Sequence, residues 1–106
     1  MSTEHLLVLT TCPDRVTASR IATALLEEKL AACVNEVSGI RSHYQWQGRI
    51  EHDDEVLMLV KTTAAAYERA EALIREHHPY ELPEVIAVPL SAGSEAYLQW
   101  ITESTG

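Results

Sequence analysis

The sequence predicts an α+β fold of the ferredoxin-like βαββαβ kind: a four-stranded antiparallel sheet, two helices on one face, and a further C-terminal helix. Extended apolar runs and helical apolar stripes follow one another in the order strand, helix, strand, strand, helix, strand, helix. The two middle strands are separated only by the dipeptide Gln47-Gly48, which predicts a tight hairpin. At 106 residues, 46% of them apolar, the chain is predicted to form one domain over residues 1–106.

Two adjoining patterns predict the first strand and the first helix. The apolar, partly β-branched run "HLLVLTT" at residues 5–11 is typical of a strand that is buried on both faces. Asp14 follows as the candidate N-cap of a helix that continues to about Lys29. The apolar stripe of this helix has i, i+3, i+4, i+7 spacing and consists of Ala18, Ile21, Ala22 and Leu25.

A long hairpin comes next. The segment "AACVNEV" begins the second strand, and "SG" at residues 38–39 is predicted to bend it or to form a bulge. The strand resumes as "IRSHYQWQ", and the return strand is predicted over residues 49–61. Alternation places three side chains of the outer part on one face: Ser42, Tyr44 and Trp46.

The return strand is apolar on both of its faces. In its densest part, "EVLMLVK", the two valines and the methionine lie on one face and the two leucines on the other. The helices of the chain can cover one face, so the other is expected to contact a second subunit. Trp46 and Tyr44 are interpreted as part of that interface; the alternative for Trp46 is a cap on its own core.

The remaining elements are a helix, a strand and a final helix. The second helix lies in "TTAAAYERAEALIREHH" and ends before Pro79, because the residue before a proline avoids the α region. "EVIAVPL" is the fourth strand, and Pro89 indicates an edge or a bulge. Ser94 is predicted to cap the final helix. The apolar phases of the two helices are Tyr67, Ala70, Ile74 and His77, and then Tyr97, Trp100 and Ile101.

Charge and motif content exclude several function classes. Lys and Arg number 8 against 16 Asp and Glu, a net charge of −8 that opposes binding to nucleic acid or to an anionic membrane. No apolar run approaches the roughly 20 residues of a membrane span, and the N-terminus does not resemble a signal peptide. With two cysteines that lack CxxC spacing, a cytoplasmic protein with reduced thiols is predicted. No catalytic signature is present, so an enzyme is not predicted.

His77 and His78 are the first candidate metal ligands, because neutral imidazole suits copper, nickel and zinc. Adjacent helical residues point about 100° apart, so the pair can share one ion only where the helix unwinds before Pro79 or with a third group. The alternative is structural. His77 continues the apolar stripe, and a charged histidine at the C-terminal end of a helix is stabilised by the helix dipole.

Cys12 is the candidate third ligand, as a soft thiolate for Cu(I) near a helix start. The alternative for Cys12, and the interpretation of Cys33, is a small buried apolar residue. The run "EHDDE" at residues 51–55 is interpreted as a solvated strand start, with a hard-cation site as the alternative.

The segment "HHPYELPE" is predicted to form one wall of a cleft between subunits. Tyr80 is expected to pack across the turn. Lys61, at the end of the return strand, is interpreted as half of an ion pair with Glu84 as its candidate partner; holding an anion is the alternative.

Five ordered motifs resemble the CutA family, which is named for divalent-cation tolerance: "EEKLAACVN", "YQWQGRIE", "EVLMLVKTT", "HHPYELPEVIAVPL" and "YLQWI". The resemblance covers nearly the whole chain. It implies a ferredoxin-like homotrimer joined through the long second and third strands, a cytosolic location, and copper binding. Family members are similar to PII signalling proteins in fold and assembly, which implies small-molecule sensing as a second function.

In the copper-binding pattern that the resemblance implies, a cysteine ends the first strand and the histidines of "HHPY" complete the site. His77 and His78 match that pattern, whereas Thr10 stands at the cysteine position and Cys12 follows two residues later. A shift of two residues keeps the same strand face, so Cys12 is the candidate substitute. Three function classes follow: a metal-binding tolerance protein, a PII-like sensor, and a structural trimer that presents a partner surface.

Overall fold

The structure, a computed structural model, describes residues 4–106 and contains four strands and three helices. In chain order the elements are β1 His5–Cys12, α1 Arg15–Glu27, β2 Cys33–Trp46, β3 Arg49–Thr63, α2 Tyr67–His77, β4 Ile86–Pro89 and α3 Glu95–Ser104.

The four strands form one antiparallel sheet in the order β2-β3-β1-β4. β1 pairs with β3 from His5 opposite Thr63 to Cys12 opposite Val56. This is the strand order of the ferredoxin-like plan, and it confirms the predicted α+β fold.

α1 forms where its sequence predicts. The Asp14 carboxylate accepts a hydrogen bond of 2.8 Å from the Thr17 backbone N–H, which satisfies one of the open donors of the first turn. The predicted stripe of Ala18, Ile21, Ala22 and Leu25 is buried against the sheet. Lys29, with a φ of 57°, adopts the left-handed conformation just past the helix and turns the chain toward β2.

The β2–β3 hairpin is long and bulged. The pairing runs Val37 opposite Leu57 and then Ile40 opposite Glu55, so β2 carries one extra residue there, and Gly39 has a φ of 84°. At the tip, Gln47 and Gly48 have φ values of 51° and 80°, as the predicted two-residue turn requires.

The two faces of the sheet are covered differently. The first two helices pack on one face over a buried core that includes Val8, Met58 and Val60. α3 contacts β1 and β3 on the other face, where the Thr102 hydroxyl is 2.8 Å from Nε2 of His5. The face that was expected to need another subunit is therefore covered in part by the chain itself.

The rest of that second face remains open to solvent. Its central leucines are half-buried, and several large apolar side chains are exposed: Val37, Ile86 and Val88. β1 is accordingly fully buried on one face only.

The segment after α2 is short and constrained. His78 leaves the helix with a ψ of 137°, as the proline that follows requires. β4 has four residues, fewer than its predicted run, and Pro89 ends it on the sheet edge. Within residues 4–106, no helix is both long enough and apolar enough to cross a membrane.

Candidate functional site

A concavity lies between the outer part of the β2–β3 hairpin and the loop that follows α2. We call it the acidic cleft; its volume is about 570 Å³. Its lining residues are Thr11, Ser42, His43, Tyr44, Gln45, Trp46, Asp53, Glu55, Tyr80, Glu81, Leu82 and Glu84. The segment "HHPYELPE" contributes Tyr80 and Glu84 to this concavity of a single subunit, whereas its predicted position between subunits stays a prediction.

Glu55 is the most buried acid of the acidic cleft, with 7% of its surface exposed. The Tyr80 hydroxyl donates a hydrogen bond of 2.8 Å to Oε2 of Glu55. Burial of the phenol, together with this bond and the charge of Glu55, raises the pKa of Tyr80 well above its usual value. Tyr80 therefore remains a neutral donor at every physiological pH.

A second tyrosine–carboxylate pair lies nearer the hairpin tip. The Tyr44 hydroxyl donates a hydrogen bond to Oδ2 of Asp53, which projects from the facing strand. This bond raises the pKa of Tyr44 to about 12. Both carboxylates are thereby oriented toward the acidic cleft by neutral donors that leave their negative charge in place.

The charge of the lining is one-sided. Asp53, Glu55, Glu81 and Glu84 bring four carboxylates, and no Lys or Arg is among the lining residues. His43 also borders the cleft, but its ring packs near that of His52 on the opposite face of the hairpin, with centroids 5.7 Å apart. Carboxylates that are grouped without basic partners attract cations, and part of the lining is screened from water, which strengthens the attraction.

His78 is held by two hydrogen bonds. Nε2 lies 2.7 Å from the Thr11 carbonyl oxygen and donates to it, while Nδ1 accepts from the Tyr80 backbone N–H at 3.2 Å. Its ring also packs on that of Tyr80, with centroids 4.6 Å apart. Both nitrogens of this buried imidazole are thus occupied, and its role in the chain is to fix the loop that carries Tyr80.

His77 is placed differently. Its Nδ1 donates to the Leu73 carbonyl oxygen at 2.9 Å, and the ring is half-buried at the end of α2. Within the described residues its Nε2 has no hydrogen-bond partner, so this nitrogen is open to a ligand.

Cys12 is fully buried, and its Sγ lies 3.5 Å from Sδ of Met58. Burial, and to a smaller extent the charges of Glu55, Asp14 and Glu36, raises the pKa of the Cys12 thiol to about 11. Among residues 4–106, no three His, Cys, Asp or Glu side chains stand where they could hold one metal ion. The structure therefore does not assemble His77, His78 and Cys12 into one ligand set.

Lys61 lies at the other end of β3, away from the acidic cleft. It pairs across the ladder with Cys33, donates a hydrogen bond to Asn35, and has its Nζ 3.8 Å from Sγ of Cys33. It makes no ion pair with any residue of the described chain, so the predicted pair with Glu84 is not formed within one subunit.

Sequence reasoning missed Glu55. The run "EHDDE" was interpreted as solvated, whereas its last residue is buried and holds Tyr80. One signal was available: Glu55 directly precedes the dense apolar part of β3, where burial begins. Its partner was not predictable, because 25 residues separate the two side chains.

Comparison with known proteins gives a consistent result. Residues 6–104 match the family described as CutA1 divalent ion tolerance protein. The divalent-cation tolerance protein CutA of Thermus thermophilus is 48% identical over 99 residues, which is 93% of this chain and 96% of that protein. The human protein CutA is 46% identical over 95 residues, 90% of this chain but 53% of that protein, so the chain spans about half of its length.

Solved structures agree with the sequence comparison. The Thermus thermophilus divalent cation tolerance protein superposes with a TM-score of 0.94 at 46% identity, covering 96% of this chain and 99% of that one. The CutA structure from Xylella fastidiosa gives a TM-score of 0.95 at 42% identity, covering 99% and 100%. The names of the relatives give different locations: an Arabidopsis thaliana protein is called chloroplastic and an Archaeoglobus fulgidus one periplasmic. The cytoplasmic location of this chain therefore stays a prediction.

Proposed function

This chain belongs to the CutA1 divalent ion tolerance family, and from that membership we propose that it is a homotrimer that binds divalent metal ions in the acidic cleft, in the response to such ions. The observation that carries the proposal is the one-sided charge of the cleft. Four carboxylates line it without a Lys or Arg, and neutral tyrosine hydroxyls orient two of them. Since no three of them within residues 4–106 stand where they could hold one ion, a bound ion would complete its coordination with water or with a group of a neighbouring subunit. No catalytic role is proposed.

Copper is the divalent ion that this lining favours among the common ones. The lining offers carboxylate oxygens, which accept many cations. At a given site, affinity among first-row divalent ions is greatest for Cu²⁺, with Zn²⁺ weaker. Mg²⁺, which prefers an octahedron of oxygen ligands and retains water, should bind more weakly than either.

The open part of the second sheet face supports the proposed assembly. Val37, Ile86 and Val88 are between 40% and 51% exposed there. Tyr44 and Trp46 expose 40% and 36% of their surfaces on the hairpin. Contact with neighbouring subunits would bury these side chains and would cover the free strand edges of β2 and β4.

The metal proposal is tested by titrating the purified protein with Cu²⁺, Zn²⁺ and Mg²⁺ in a calorimeter. We expect saturable Cu²⁺ binding that Glu84→Gln weakens by about tenfold. Glu27→Gln is the matched control, because it removes one exposed carboxylate of α1 that is not part of the lining. Absence of saturable binding, or an equal effect of the two variants, would refute binding in the acidic cleft.

A second candidate function is the sensing of a small cationic molecule. A cleft of about 570 Å³ lies within the range of ligand pockets, and its aromatic walls, Tyr44, Trp46 and Tyr80, offer faces on which a cation can stack. Saturable binding of a polyamine or a quaternary ammonium compound, with no saturable binding of metal ions, would favour this function.

A further inference from the structure

Two imidazoles stand side by side on the outer part of the β2–β3 hairpin. His43, on β2, lies directly opposite His52, on β3, and their ring centroids are 5.7 Å apart with the ring planes tilted by 47°. Both side chains are exposed. Because the two strands are paired neighbours, the backbone holds the two imidazoles next to each other in the absence of any ligand. We call them the hairpin histidine pair.

The hairpin histidine pair lies on the side of the hairpin away from the acidic cleft. Alternation along the strands places Tyr44 and Asp53 on one face, toward the cleft, and His43 and His52 on the other. On β3 the histidine face continues into the face of Met58, which α1 and α2 cover. The apolar side chains proposed to contact neighbouring subunits lie on the opposite face. The pair is therefore on the face that the proposed assembly leaves free.

His52 presents an unprotonated ring nitrogen. A terminal nitrogen of the Arg41 guanidinium lies 2.8 Å from Nδ1 of His52. A guanidinium can only donate hydrogen bonds, so Nδ1 accepts this bond and carries no proton. The proton of the neutral ring is then on Nε2. Since a metal ion binds neutral imidazole through such an unprotonated nitrogen, the contact with Arg41 marks Nδ1 of His52 as a potential ligand atom.

The separation of the two rings fits one ion between them. Zinc–imidazole bonds are about 2.0–2.1 Å long, which places a bound ion roughly 3.2 Å from each ring centroid. Two centroids 5.7 Å apart then correspond to an angle of about 125° at the ion, which is close to the tetrahedral value. Rotation of the exposed side chains is sufficient to direct one nitrogen of each ring at the ion.

We infer that His43 and His52 together bind Zn²⁺ or a chemically similar divalent ion such as Ni²⁺, with water in the remaining positions. Neutral imidazole suits these ions, whereas Mg²⁺ and Ca²⁺ prefer oxygen ligands. No third His, Cys, Asp or Glu within residues 4–106 stands where it could complete the site. The ion therefore keeps water ligands and exchanges with solvent, unlike the ion of a closed structural zinc site.

Arg41 competes with the ion for the same nitrogen. On binding, the hydrogen bond from Arg41 to Nδ1 of His52 breaks, and the lone pair of Nδ1 forms the bond to the ion, so no proton leaves the ring. Asp54 stands directly opposite Arg41 in the ladder, and its carboxylate is within reach of the released guanidinium. Arg41 thus lowers the affinity of the pair, both through the bond that must open and through its positive charge.

This site is separate from the acidic cleft, and the two can fail independently. The cleft offers carboxylate oxygens, whereas the hairpin histidine pair offers imidazole nitrogens on the other face. The double variant His43→Gln, His52→Gln removes the pair and keeps every carboxylate of the cleft, so calorimetric titration of this variant measures the cleft alone. Glu84→Gln should in turn leave the affinity of the pair unchanged.

The first experiment follows the ring ¹⁵N signals of the five histidines of the unaltered chain during titration with Zn²⁺. The signals of His43 and His52 are assigned by their loss in His43→Gln and His52→Gln. We expect both residues to shift together and to saturate, with the largest change at Nδ1 of His52. A shift of one residue without the other, or shifts confined to His77 and His78, would overturn the inference, as would the absence of saturable binding.

The second experiment measures Zn²⁺ affinity from the His52 signals in variants. His43→Gln should weaken binding by about tenfold or more, because one of two protein ligands is lost. Arg41→Met, which removes the competing donor and its charge from an exposed position, should strengthen binding by about threefold. His77→Gln is the matched control and should change nothing. Unchanged affinity in His43→Gln, or unchanged or weaker binding in Arg41→Met, would overturn the inference.

Discussion

The Tyr80 hydroxyl donates a 2.8 Å hydrogen bond to the carboxylate of Glu55, which is 7% exposed. This bond joins the loop after α2 to β3, a central strand of the sheet. The two residues are 25 positions apart. His78 holds the same loop through its hydrogen bonds to the Thr11 carbonyl oxygen and from the Tyr80 backbone N–H. The wall of the acidic cleft is therefore fixed by side-chain hydrogen bonds rather than by secondary structure.

Tyr80→Phe should destabilise the protein by about 1–3 kcal/mol, because it leaves a buried carboxylate without its donor. Urea unfolding at fixed protein concentration measures the change, since association would make stability depend on concentration. Tyr44→Phe is the matched control. It removes a similar bond, to Asp53, between exposed side chains, and should cost clearly less. Equal losses of unfolding free energy in the two variants would contradict the role assigned to the burial of Glu55.

His78→Ala should destabilise the fold more than His77→Ala. His78 is 8% exposed and makes two hydrogen bonds, whereas His77 is half-buried and makes one. We expect a loss of about 2–3 kcal/mol for His78→Ala, from the cavity and the unpaired backbone groups, measured by urea unfolding. A larger loss in His77→Ala would contradict this assignment.

Substitution of the two histidines also tests where Cu²⁺ binds. If the double variant His77→Ala, His78→Ala is folded and keeps the Cu²⁺ affinity of the unaltered chain, the ion binds in the acidic cleft, as we expect. Loss of binding in His77→Ala alone, at unchanged stability, would instead support the ligand pair that the family resemblance implies. Calorimetric titration separates the two outcomes.

The stability contributed by Asp14 should disappear in acid. The backbone and side-chain hydrogen bonds from Thr17 hold its pKa below the usual value of 3.8. A carboxyl whose pKa is lowered by folding stabilises the protein above the unfolded pKa, and this contribution is lost as the pH falls through the folded pKa. The difference in unfolding free energy between the unaltered chain and Asp14→Ala should therefore shrink below about pH 4. Ser94→Ala, at an N-cap that does not titrate, should show a difference that is independent of pH over the same range.

The chain should have the mass of a trimer in solution. Three times 11.8 kDa is about 35 kDa, which light scattering at micromolar concentration can distinguish from a monomer. Trp46→Ala should lower the average mass while helix content stays constant by circular dichroism. Val16→Ala, on the exposed face of α1, should leave the mass unchanged. A folded monomer of the unaltered chain would refute the assembly.

Local patterns predicted most of the fold because they are properties of neighbouring residues. The stripe from Ala18 to Leu25, the cap at Asp14 and the turn at Gln47-Gly48 depend only on residues within a few positions of one another. The position of α3 on the second sheet face could not be predicted in this way. It depends on contacts such as that between His5 and Thr102, which are 97 residues apart.

The site was predicted less completely than the fold, for the same reason. The sequence indicated that Tyr80 and Glu84 belong to a cleft wall, but it did not indicate the buried acid that Tyr80 contacts. The sequence predicted His78 as a metal ligand because two adjacent histidines show that imidazoles are present but not which hydrogen bonds they make. Only the fold shows that Thr11 and Tyr80 occupy both ring nitrogens.

The extra residue at Ser38-Gly39 changes by one position which residues of β2 lie on a given face of the sheet. Before the bulge, the odd-numbered residues of β2 share a face with Leu57, as Val37 does. After the bulge, the even-numbered residues lie on that same face, beginning with Ile40 opposite Glu55. Tyr44 therefore reaches the side of the sheet where Asp53 and Glu55 line the acidic cleft. Deleting Gly39 would leave Val37 opposite Leu57 and Ile40 opposite Glu55, with Ser38 alone opposite Val56, so the same side chains would still face the acidic cleft and only the bulge would be lost. The inserted residue in β2 thus bends the hairpin without changing which of its side chains line the acidic cleft.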